Sequence, residues 1–260
     1  MTSFFDVISF GISDIGHVRD KNEDVWKSLP SHFFFVVADG MGGHKAGEIA
    51  AREAVENLSE SITRIFSSSQ NENTETDHII AHLYYAIQDA NYWVKDLAEK
   101  NKDYTGMGTT ICCFLIHKNK LIYAHVGDSR IYRFNKELNQ LSEDHSLKNY
   151  LLKKGKLTKE NVERYPYKNR ITKAIGTQTQ VIPDIDYIDI EPGDIFFLCS
   201  DGLTDHLSNN HITNILKQTD CVENASQKLV EEAKKRGGRD NITVLMIKIL
   251  EKETQINSTT

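Results

Sequence analysis

The chain has few cysteines, and their spacing excludes two kinds of site. The four are Cys112, Cys113, Cys199 and Cys221. None of them forms the Cys-x-x-Cys pair of a zinc or redox site. We therefore expect buried thiols in a reducing cytosol, and a cytoplasmic protein.

Long apolar runs are also missing. No stretch approaches the roughly 20 apolar residues of a membrane span, and the first 20 residues lack the basic start and apolar centre of an export signal. A phosphate-binding Gly-x-x-x-x-Gly-Lys-Ser/Thr loop is absent too. We expect neither export nor a membrane partner.

The charge balance is acidic. The 31 basic and 37 acidic residues give a formal net charge of −6. This argues against nucleic acid as a partner and suits a protein that holds cations with carboxylates.

The hydrophobic patterns predict a mixed fold of strands and helices. Of the 260 residues, 39% are hydrophobic, enough for a sizeable core. Runs rich in β-branched and aromatic residues predict strands at 33–38, 109–116, 121–126, 195–199 and 242–249. Apolar residues at steps of three and four predict helices at 46–66 and 77–100, and a third helix is expected near 221–236. We expect an α+β fold with sheets covered by helices, in one domain over residues 1–250 with a frayed tail at 251–260.

One segment, residues 143–177, differs in charge from the rest. It carries nine basic and four acidic residues, so positive charge is concentrated there. One interpretation is a solvated basic helix on an insertion. The functional alternative is a flap that attracts an anionic substrate.

Acidic residues follow or precede several predicted strands. Asp39-Gly40 ends the run at 33–38, Asp201-Gly202 follows 195–199, Asp128 follows 121–126, and Asp240 stands just before 242–249. Any one of these is explained by an ordinary turn. Together, carboxylates from distant parts of one chain are what an oxygen-rich Mg²⁺ or Mn²⁺ site requires.

A second group of charged residues lies near the N-terminus. Arg19 stands four residues before Glu23, and Asp24 follows. A charged loop is the simpler interpretation. The arginine also offers a bidentate fork for a phosphate group beside further carboxylates.

Eight short motifs occur in order along the chain: Asp14-Ile-Gly16, Arg19 to Asp24, Asp39-Gly-Met-Gly-Gly43 with Gly47-Glu48, Gly106-Met-Gly-Thr-Thr110, Val126-Gly-Asp-Ser-Arg130, Asn169 to Gly176, Ser200-Asp-Gly-Leu203 and Arg239 to Val244. Together they resemble the metal-dependent protein phosphatases (PPM), the type 2C serine/threonine phosphatases, in their compact bacterial form. The resemblance covers about residues 9–249.

The resemblance implies a four-layer α-β-β-α sandwich of two antiparallel sheets with a centre of two Mn²⁺ or Mg²⁺ ions at one edge. It implies that Asp39 bridges both metals, that Gly40 supplies a carbonyl to one, and that Asp201 and Asp240 bind the other. The resemblance also implies that Glu23 and Asp24 hold metal-bound waters and that Arg19 grips the substrate phosphate. It further implies a weaker third metal site at Asp128 with Asp201, and a mobile flap.

The chain departs from relatives at a few of these positions. Met41 stands where animal relatives have histidine, and a thioether is no general acid, so the proton donor is left open. His44 lies nearby, but a surface histidine is its simpler interpretation. Tyr165-Pro166 replaces a frequent His-Pro and Lys173 a frequent arginine, which leaves the substrate preference open.

The implied function is hydrolysis of phosphoserine and phosphothreonine in proteins by a hydroxide held between two cations. A cysteine-dependent phosphatase is excluded because no Cys-x5-Arg loop is present. Two alternatives remain: a phosphatase dedicated to one small phosphoserine regulator, and a phosphoprotein-binding module without activity. The expected partners in signalling are phosphorylated substrates of a serine/threonine kinase, and we expect a monomer.

Overall fold

Two antiparallel sheets form the centre of the computed structural model, which describes residues 5–42, 46–67, 74–162, 165–167 and 170–252. The first sheet contains, in spatial order, β1 (Phe5–Asp14), β11 (Ile242–Glu251), β10 (Ile195–Cys199), β7 (Arg130–Asn135) and β8 (Glu137–Gln140). The second contains β2 (Asp24–Leu29), β3 (Phe34–Met41), β5 (Ile111–His117), β6 (Lys120–Val126) and β9 (Asp184–Asp189), with the short β4 (Gly108–Thr109) paired to β3.

The sheets pack face to face through large apolar side chains. Phe35 on β3 and Phe114 on β5 have ring centroids 5.3 Å apart, and Phe114 reaches Phe196 of the opposite sheet at 6.3 Å. Leu245 and Ile247 of β11 belong to the same buried cluster. Burial of this inter-sheet layer from water holds the sandwich together.

Helices cover both outer faces. The apolar faces of α1 (Ala46–Ser67) and α2 (Thr76–Lys100) pack on the second sheet, in a cluster that includes Leu58, Leu83 and Val36. The first sheet is covered by α6 (Asn209–Lys217) and α7 (Val222–Lys235), and the short α5 (Asp201–Thr204) follows β10. The expected α+β class and α-β-β-α layering are confirmed.

The basic segment leaves the sandwich after β8 and returns before β9. It contains α3 (Leu147–Lys153) and α4 (Lys159–Val162). Its two ends are tied together, because the amide of Leu147 donates to Arg170 O at 2.8 Å and the amide of Thr172 donates to His145 O at 2.7 Å. We call residues 143–177 the flap and its paired ends the flap base; residues 163–164 and 168–169 lie outside the described part.

The strand predicted at 195–199 is confirmed with its predicted ends, and the other predicted elements differ by a few residues. The run predicted at 109–116 is divided between β4 and β5 at Thr110, whose side chain serves the site described below. The C-terminal strand continues through Glu251, opposite Phe5, one residue into the expected tail. Residues 253–260 lie outside the described part.

Of the four cysteines, three match the prediction of buried thiols. Burial raises the pKa of Cys112, Cys113 and Cys199 above the ordinary thiol value. The prediction was wrong for Cys221, which is exposed because it caps the N-terminus of α7, where its Sγ accepts from the amide of Asn224. Among the described helices, none is long and apolar enough to cross a membrane.

Candidate metal centre

Asp39 lies near the end of β3 at one edge of the sandwich, opposite Asp24 in the β2–β3 register. Its backbone is fixed from both sides by Thr110. The Asp39 amide donates to Thr110 Oγ1 at 2.9 Å, and the Thr110 amide donates to Asp39 O at 2.9 Å. These two hydrogen bonds therefore fix the backbone from which this carboxylate extends.

Asp24 joins the two sheets at this edge. It is only 7% exposed, and its Oδ2 accepts hydroxyl hydrogen bonds from Ser200 and Thr243, both at 2.7 Å. Its other oxygen, Oδ1, has no hydrogen-bond partner among the described residues. One side of this carboxylate is thus committed to the fold and the other is left available.

Asp201 and Asp240 are brought together by a close backbone approach. Asp201 follows β10, and a Cβ on Gly202 would lie 2.0 Å from Asn241 O, so only glycine fits there. Asp240 directly precedes β11, the neighbour of β10. In the part of the chain that the structure covers, Asp201 Oδ1 also lacks a partner.

Asp128 lies on the loop after β6. Gly127 before it has a φ of +109°, and a Cβ there would lie 2.6 Å from the side chain of Thr110. On the other side of the loop, Ser129 Oγ and Thr110 Oγ1 share a hydrogen bond of 2.7 Å. Asp128 is buried, and its Oδ1 has no partner within the described ranges.

The charges of these carboxylates act on one another. Burial raises the pKa of Asp39 well above its ordinary value, and repulsion from Asp24, Asp201, Asp128 and Asp240 raises it further. Burial, followed by repulsion from Asp128 and other carboxylates, raises the pKa of Asp201 in the same way. Burial is the main cause that raises the pKa of Asp24 to about 6 and that of Asp128 to about 7.

This electrostatic arrangement fits divalent cations. Buried carboxylates that repel one another become stable as anions at neutral pH when positive charge lies between them. The free oxygens of Asp24, Asp128 and Asp201 and the absence of sulfur or imidazole from this set suit a hard ion such as Mg²⁺ or Mn²⁺.

Gly40 and Glu23 form a crowded part of the same edge. The Gly40 amide donates to Glu23 O at 3.2 Å, and a Cβ on Gly40 would lie 2.1 Å from Gly47 O. The Glu23 carboxylate packs so closely on Gly47 that a Cβ there would meet Oε2 at 2.8 Å. Burial raises the pKa of Glu23, while Arg19 acts against this rise.

Arg19 lies beside the carboxylates with its side chain 53% exposed. Its guanidinium donates to Asp240 Oδ2 at 2.6 Å, and this hydrogen bond raises the pKa of Arg19. The guanidinium of Arg19 therefore contacts Asp240, a candidate metal ligand, and is also open to solvent.

Asn241 was missed by the sequence analysis as a functional residue. Its Nδ2 donates to Ile15 O at 3.0 Å and to Lys21 O at 2.8 Å, and its Oδ1 accepts from the Glu23 amide at 2.8 Å. It thereby holds the loop that carries Arg19 against the start of β11. Its position next to Asp240 was the available signal.

A pocket of about 670 Å³ adjoins the carboxylates on the flap side. Acidic and basic side chains line it together, including Asp128, Asp201, Asp240, Lys148 and Arg239. Met41, the last residue of β3, is half-buried. Gly43 and His44 lie outside the described residues.

A second group of donor atoms lies at the flap base. Ring nitrogens of His125 and His145 and a carboxylate oxygen of Asp184 are all within 4.8 Å of one another. The ammonium of Lys173 is already there, 3.2 Å from both His145 Nε2 and Asp184 Oδ1.

A two-sheet fold with buried carboxylates gathered at one edge fits the class of metal-dependent phosphatases. The sequence profile described as Protein phosphatase 2C matches residues 17–235. The chain therefore belongs to the protein phosphatase 2C family and is an enzyme of that family.

Proteins that are similar in sequence and structure are also phosphatases. The protein phosphatase PhpP of Streptococcus pneumoniae is 38% identical over 248 residues, which cover 94% of this chain and 98% of PhpP. The crystal structure of serine/threonine phosphatase Stp1 from Staphylococcus aureus is similar with a TM-score of 0.85 and 32% identity, over 95% of this chain and 97% of Stp1. The catalytic domain of PstP in complex with two manganese ions gives a TM-score of 0.80 at 30% identity, over 95% and 99% of the two chains.

Proposed function

We propose that this phosphatase hydrolyses phosphoserine and phosphothreonine in proteins at the edge where Asp39, Asp201 and Asp240 meet. The observation that carries the proposal is the convergence of buried carboxylates whose pKa values are raised and whose free oxygens have no protein partner within the described ranges. When bound, two divalent cations would supply an activated water and neutralise charge on the phosphoryl group.

The four proposed ligands come from three strand ends, those of β3, β10 and β11. Asp39 would serve both cations, the carbonyl of Gly40 would serve one, and Asp201 and Asp240 would serve the other. The rigid backbone of Asp39 supports the bridging role, because Thr110 fixes it on both sides. Glu23 and Asp24 accept hydrogen bonds from water on the cations, a role that the free Oδ1 of Asp24 supports.

Arg19 is proposed to bind the phosphate of the substrate. Its half-exposed guanidinium offers donors toward solvent while one donor remains on Asp240. A planar guanidinium matches two phosphate oxygens at once. Binding there would turn the phosphorus toward the carboxylate cluster.

Asp128 and Asp201 are proposed to hold a third, more weakly bound cation. Repulsion from Asp128 is the largest charge effect on Asp201, which supports their proximity. Both have a free buried oxygen in the part of the chain that the structure covers. Fewer protein ligands account for the weaker binding.

Phosphorylated proteins made by a serine/threonine kinase are the proposed substrates, and the enzyme is proposed to act on them as a monomer in the cytoplasm. The pocket between the carboxylates and the flap has room for peptide residues beside the phosphate. A binding module without activity is the weaker candidate, since every proposed ligand is present in the sequence.

The experiment is a turnover assay on a phosphothreonine peptide after removal of metal with EDTA and dialysis. We expect no turnover until Mn²⁺ or Mg²⁺ is added, and a loss of several orders of magnitude in kcat for Asp240→Asn. Asp189→Asn, at an exposed carboxylate paired with Lys120, is the control that keeps full activity. Full turnover in excess EDTA, or a normal rate for Asp240→Asn at saturating metal, would refute the proposal.

A further inference from the structure

His145 connects the flap base to the loop that carries Asp128. Two hydrogen bonds join it to Gly127: the His145 amide donates to Gly127 O at 2.8 Å, and the Gly127 amide donates to His145 Nδ1 at 3.1 Å. The carbonyl of His145 accepts from the Thr172 amide on the returning side of the flap. His145 thus contacts both the loop that carries Asp128 and the returning side of the flap.

The imidazole of His145 is held in a defined orientation. Its ring stacks on His125 with centroids 4.6 Å apart and an interplanar angle of 14°. Asp184 pairs with His125 in the β6–β9 register and places Oδ2 3.3 Å from His145 Nε2. These contacts keep Nδ1 directed at the backbone of Gly127.

The hydrogen bonds determine which ring nitrogen carries the hydrogen. Burial, aided by His125 and Lys173, lowers the pKa of His145 to about 4, so the ring is neutral at physiological pH. Since Nδ1 accepts from the Gly127 amide, the hydrogen is on Nε2, where it faces Asp184.

The same assignment argues against a metal ion at His125, His145 and Asp184. A ligating imidazole normally donates from its second nitrogen, but the second nitrogen of His145 accepts. Lys173 already supplies a positive charge by donating to Asp184 Oδ1 and to Ile182 O, both at 3.2 Å. We therefore interpret His125, Asp184 and Lys173 as the residues that hold the His145 ring in place.

The loop that His145 holds has little room to move. Gly127 packs on Thr110, Ser129 bonds to Thr110 Oγ1, and Thr110 in turn fixes the backbone of Asp39. The orientation of the Gly127 amide is set from the opposite side by His145. Residue 128 follows directly, so a change in that peptide plane reorients its carboxylate.

We propose that His145 is a positioning residue which, through Gly127, sets the orientation of Asp128 and thereby couples the flap base to cation binding at that carboxylate. The inference rests on the proposed function in assigning a weaker cation site to Asp128. It goes further in naming the contact through which the flap acts on that site.

The test compares two variants of nearly equal shape, His145→Asn and His145→Leu. In Asn, Oδ1 is attached to Cγ as Nδ1 is in histidine, so it can accept from the Gly127 amide; Leu has no acceptor. His125→Phe is the control for the neighbouring contacts: it keeps an aromatic ring beside His145 and removes only the hydrogen bond from His125 Nε2 to Glu143 O at 2.8 Å. Thermal unfolding in EDTA shows that each variant is folded.

The readout is Mn²⁺ binding, measured by electron paramagnetic resonance of free Mn²⁺ during titration. We expect His145→Leu to weaken the weakest Mn²⁺ site by about 10- to 100-fold, as for other residues that orient a ligand. The two tighter sites stay unchanged. His145→Asn and His125→Phe stay within about threefold of wild type at every site.

A double-variant cycle identifies the carboxylate involved. Asp128→Asn is expected to lose the weakest site, and adding His145→Leu to it changes nothing further. The inference is overturned by equal effects of His145→Leu and His145→Asn, by equal weakening of all sites, or by two tight sites in wild type without a weaker third. In that last case the third cation site also falls, but the proposed phosphatase activity at the two tighter sites still stands; wild type that binds no Mn²⁺ at all would overturn both.

Discussion

Hydroxyl side chains do much of the positioning at the scale of single residues. Ser200 directly after β10 and Thr243 in β11 donate to Asp24 of the second sheet, while Thr110 holds the backbone of Asp39. Serine and threonine in or beside strands carry no sequence signal that separates this role from ordinary packing. For this reason the carboxylates could be predicted, and the groups that orient them could not.

Arg19 gives a prediction at the same scale. Replacing it with alanine removes a charge-assisted hydrogen bond to phosphate, which costs about 1.5 to 3 kcal/mol, or roughly a 10- to 150-fold rise in KM. The rise is expected for p-nitrophenyl phosphate as well as for phosphopeptides, because both present the same phosphate group. Steady-state kinetics at saturating Mn²⁺ provide the measurement.

Arg64→Ala serves as the control for Arg19→Ala. Arg64 lies in the last turn of α1 and bonds to Ser61, away from the carboxylates. Its KM is expected to equal that of wild type. An unchanged KM and kcat for Arg19→Ala would mean that Arg19 is only part of a solvated loop.

The meeting of the acidic residues follows from strand directions, at the scale of elements. Both β3 and β6 run antiparallel to β5, so their C-terminal ends, with Asp39 and Asp128, lie at the same edge. In the other sheet, the end of β10 lies beside the start of β11, which places Asp201 next to Asp240. The sequence pattern predicts where each strand ends. It does not predict how the two sheets are oriented against each other, because that depends on packing between them.

Several strands were missed because their patterns are weak. β8 is short and polar, and β9 is an edge strand in which three of the six residues are aspartate. β1 contains Gly11, a poor strand former that is needed because a Cβ would lie 2.6 Å from the ring of Trp26. These positions are explained by neighbours in space, which the local sequence does not reveal.

The flap gives a prediction about substrate attraction. Changing Lys153, Lys154 and Lys156 together to glutamine should lower kcat/KM toward a phosphoprotein and reduce its dependence on salt. Turnover of p-nitrophenyl phosphate should barely change. The loss of kcat/KM should be largest at low ionic strength, since screening shortens the Debye length to about 8 Å at physiological salt.

The structure sharpens the design of this experiment. Lys153 forms an ion pair with Glu143 at 2.8 Å, and the ammonium of Lys156 lies 5.9 Å from the ring centroid of Tyr150, so a variant at Lys154 alone separates attraction from local structure. Replacing the exposed Lys102, Lys217 and Lys228 gives a control with the same change in charge. Equal losses on both substrates at every salt concentration would show that the flap shapes the catalytic centre itself.

At the scale of the whole molecule, the buried carboxylates of the site make the stability of the fold depend on pH. Because Asp128 and Asp24 have folded-state pKa values of about 7 and 6, above the ordinary value near 3.9, the metal-free folded protein binds more protons than the unfolded chain between about pH 4 and 7. Its stability therefore falls as pH rises through that range. The carboxylates destabilise the metal-free fold at neutral pH.

Because the stability of the metal-free protein falls as pH rises, we can predict the behaviour of Asp128→Asn in EDTA. At pH 7.5 the variant should melt at least about 3 °C above wild type, because a buried charge has been removed. The advantage should shrink toward pH 5, where wild-type Asp128 is protonated. Scanning calorimetry at the two pH values is the measurement, and a variant that melts lower than wild type at pH 7.5 would contradict the account.

The most direct test of the central claim is the number of Mn²⁺ ions bound by Asp39→Asn at equilibrium, compared with wild type. Asp39 is proposed to serve both cations, so the account predicts that this one substitution, which preserves shape, weakens both tighter sites together. A change at Asp240 should mainly weaken one of them. Wild-type binding of two Mn²⁺ ions that Asp39→Asn retains with unchanged affinity would contradict the claim that this carboxylate organises the metal centre.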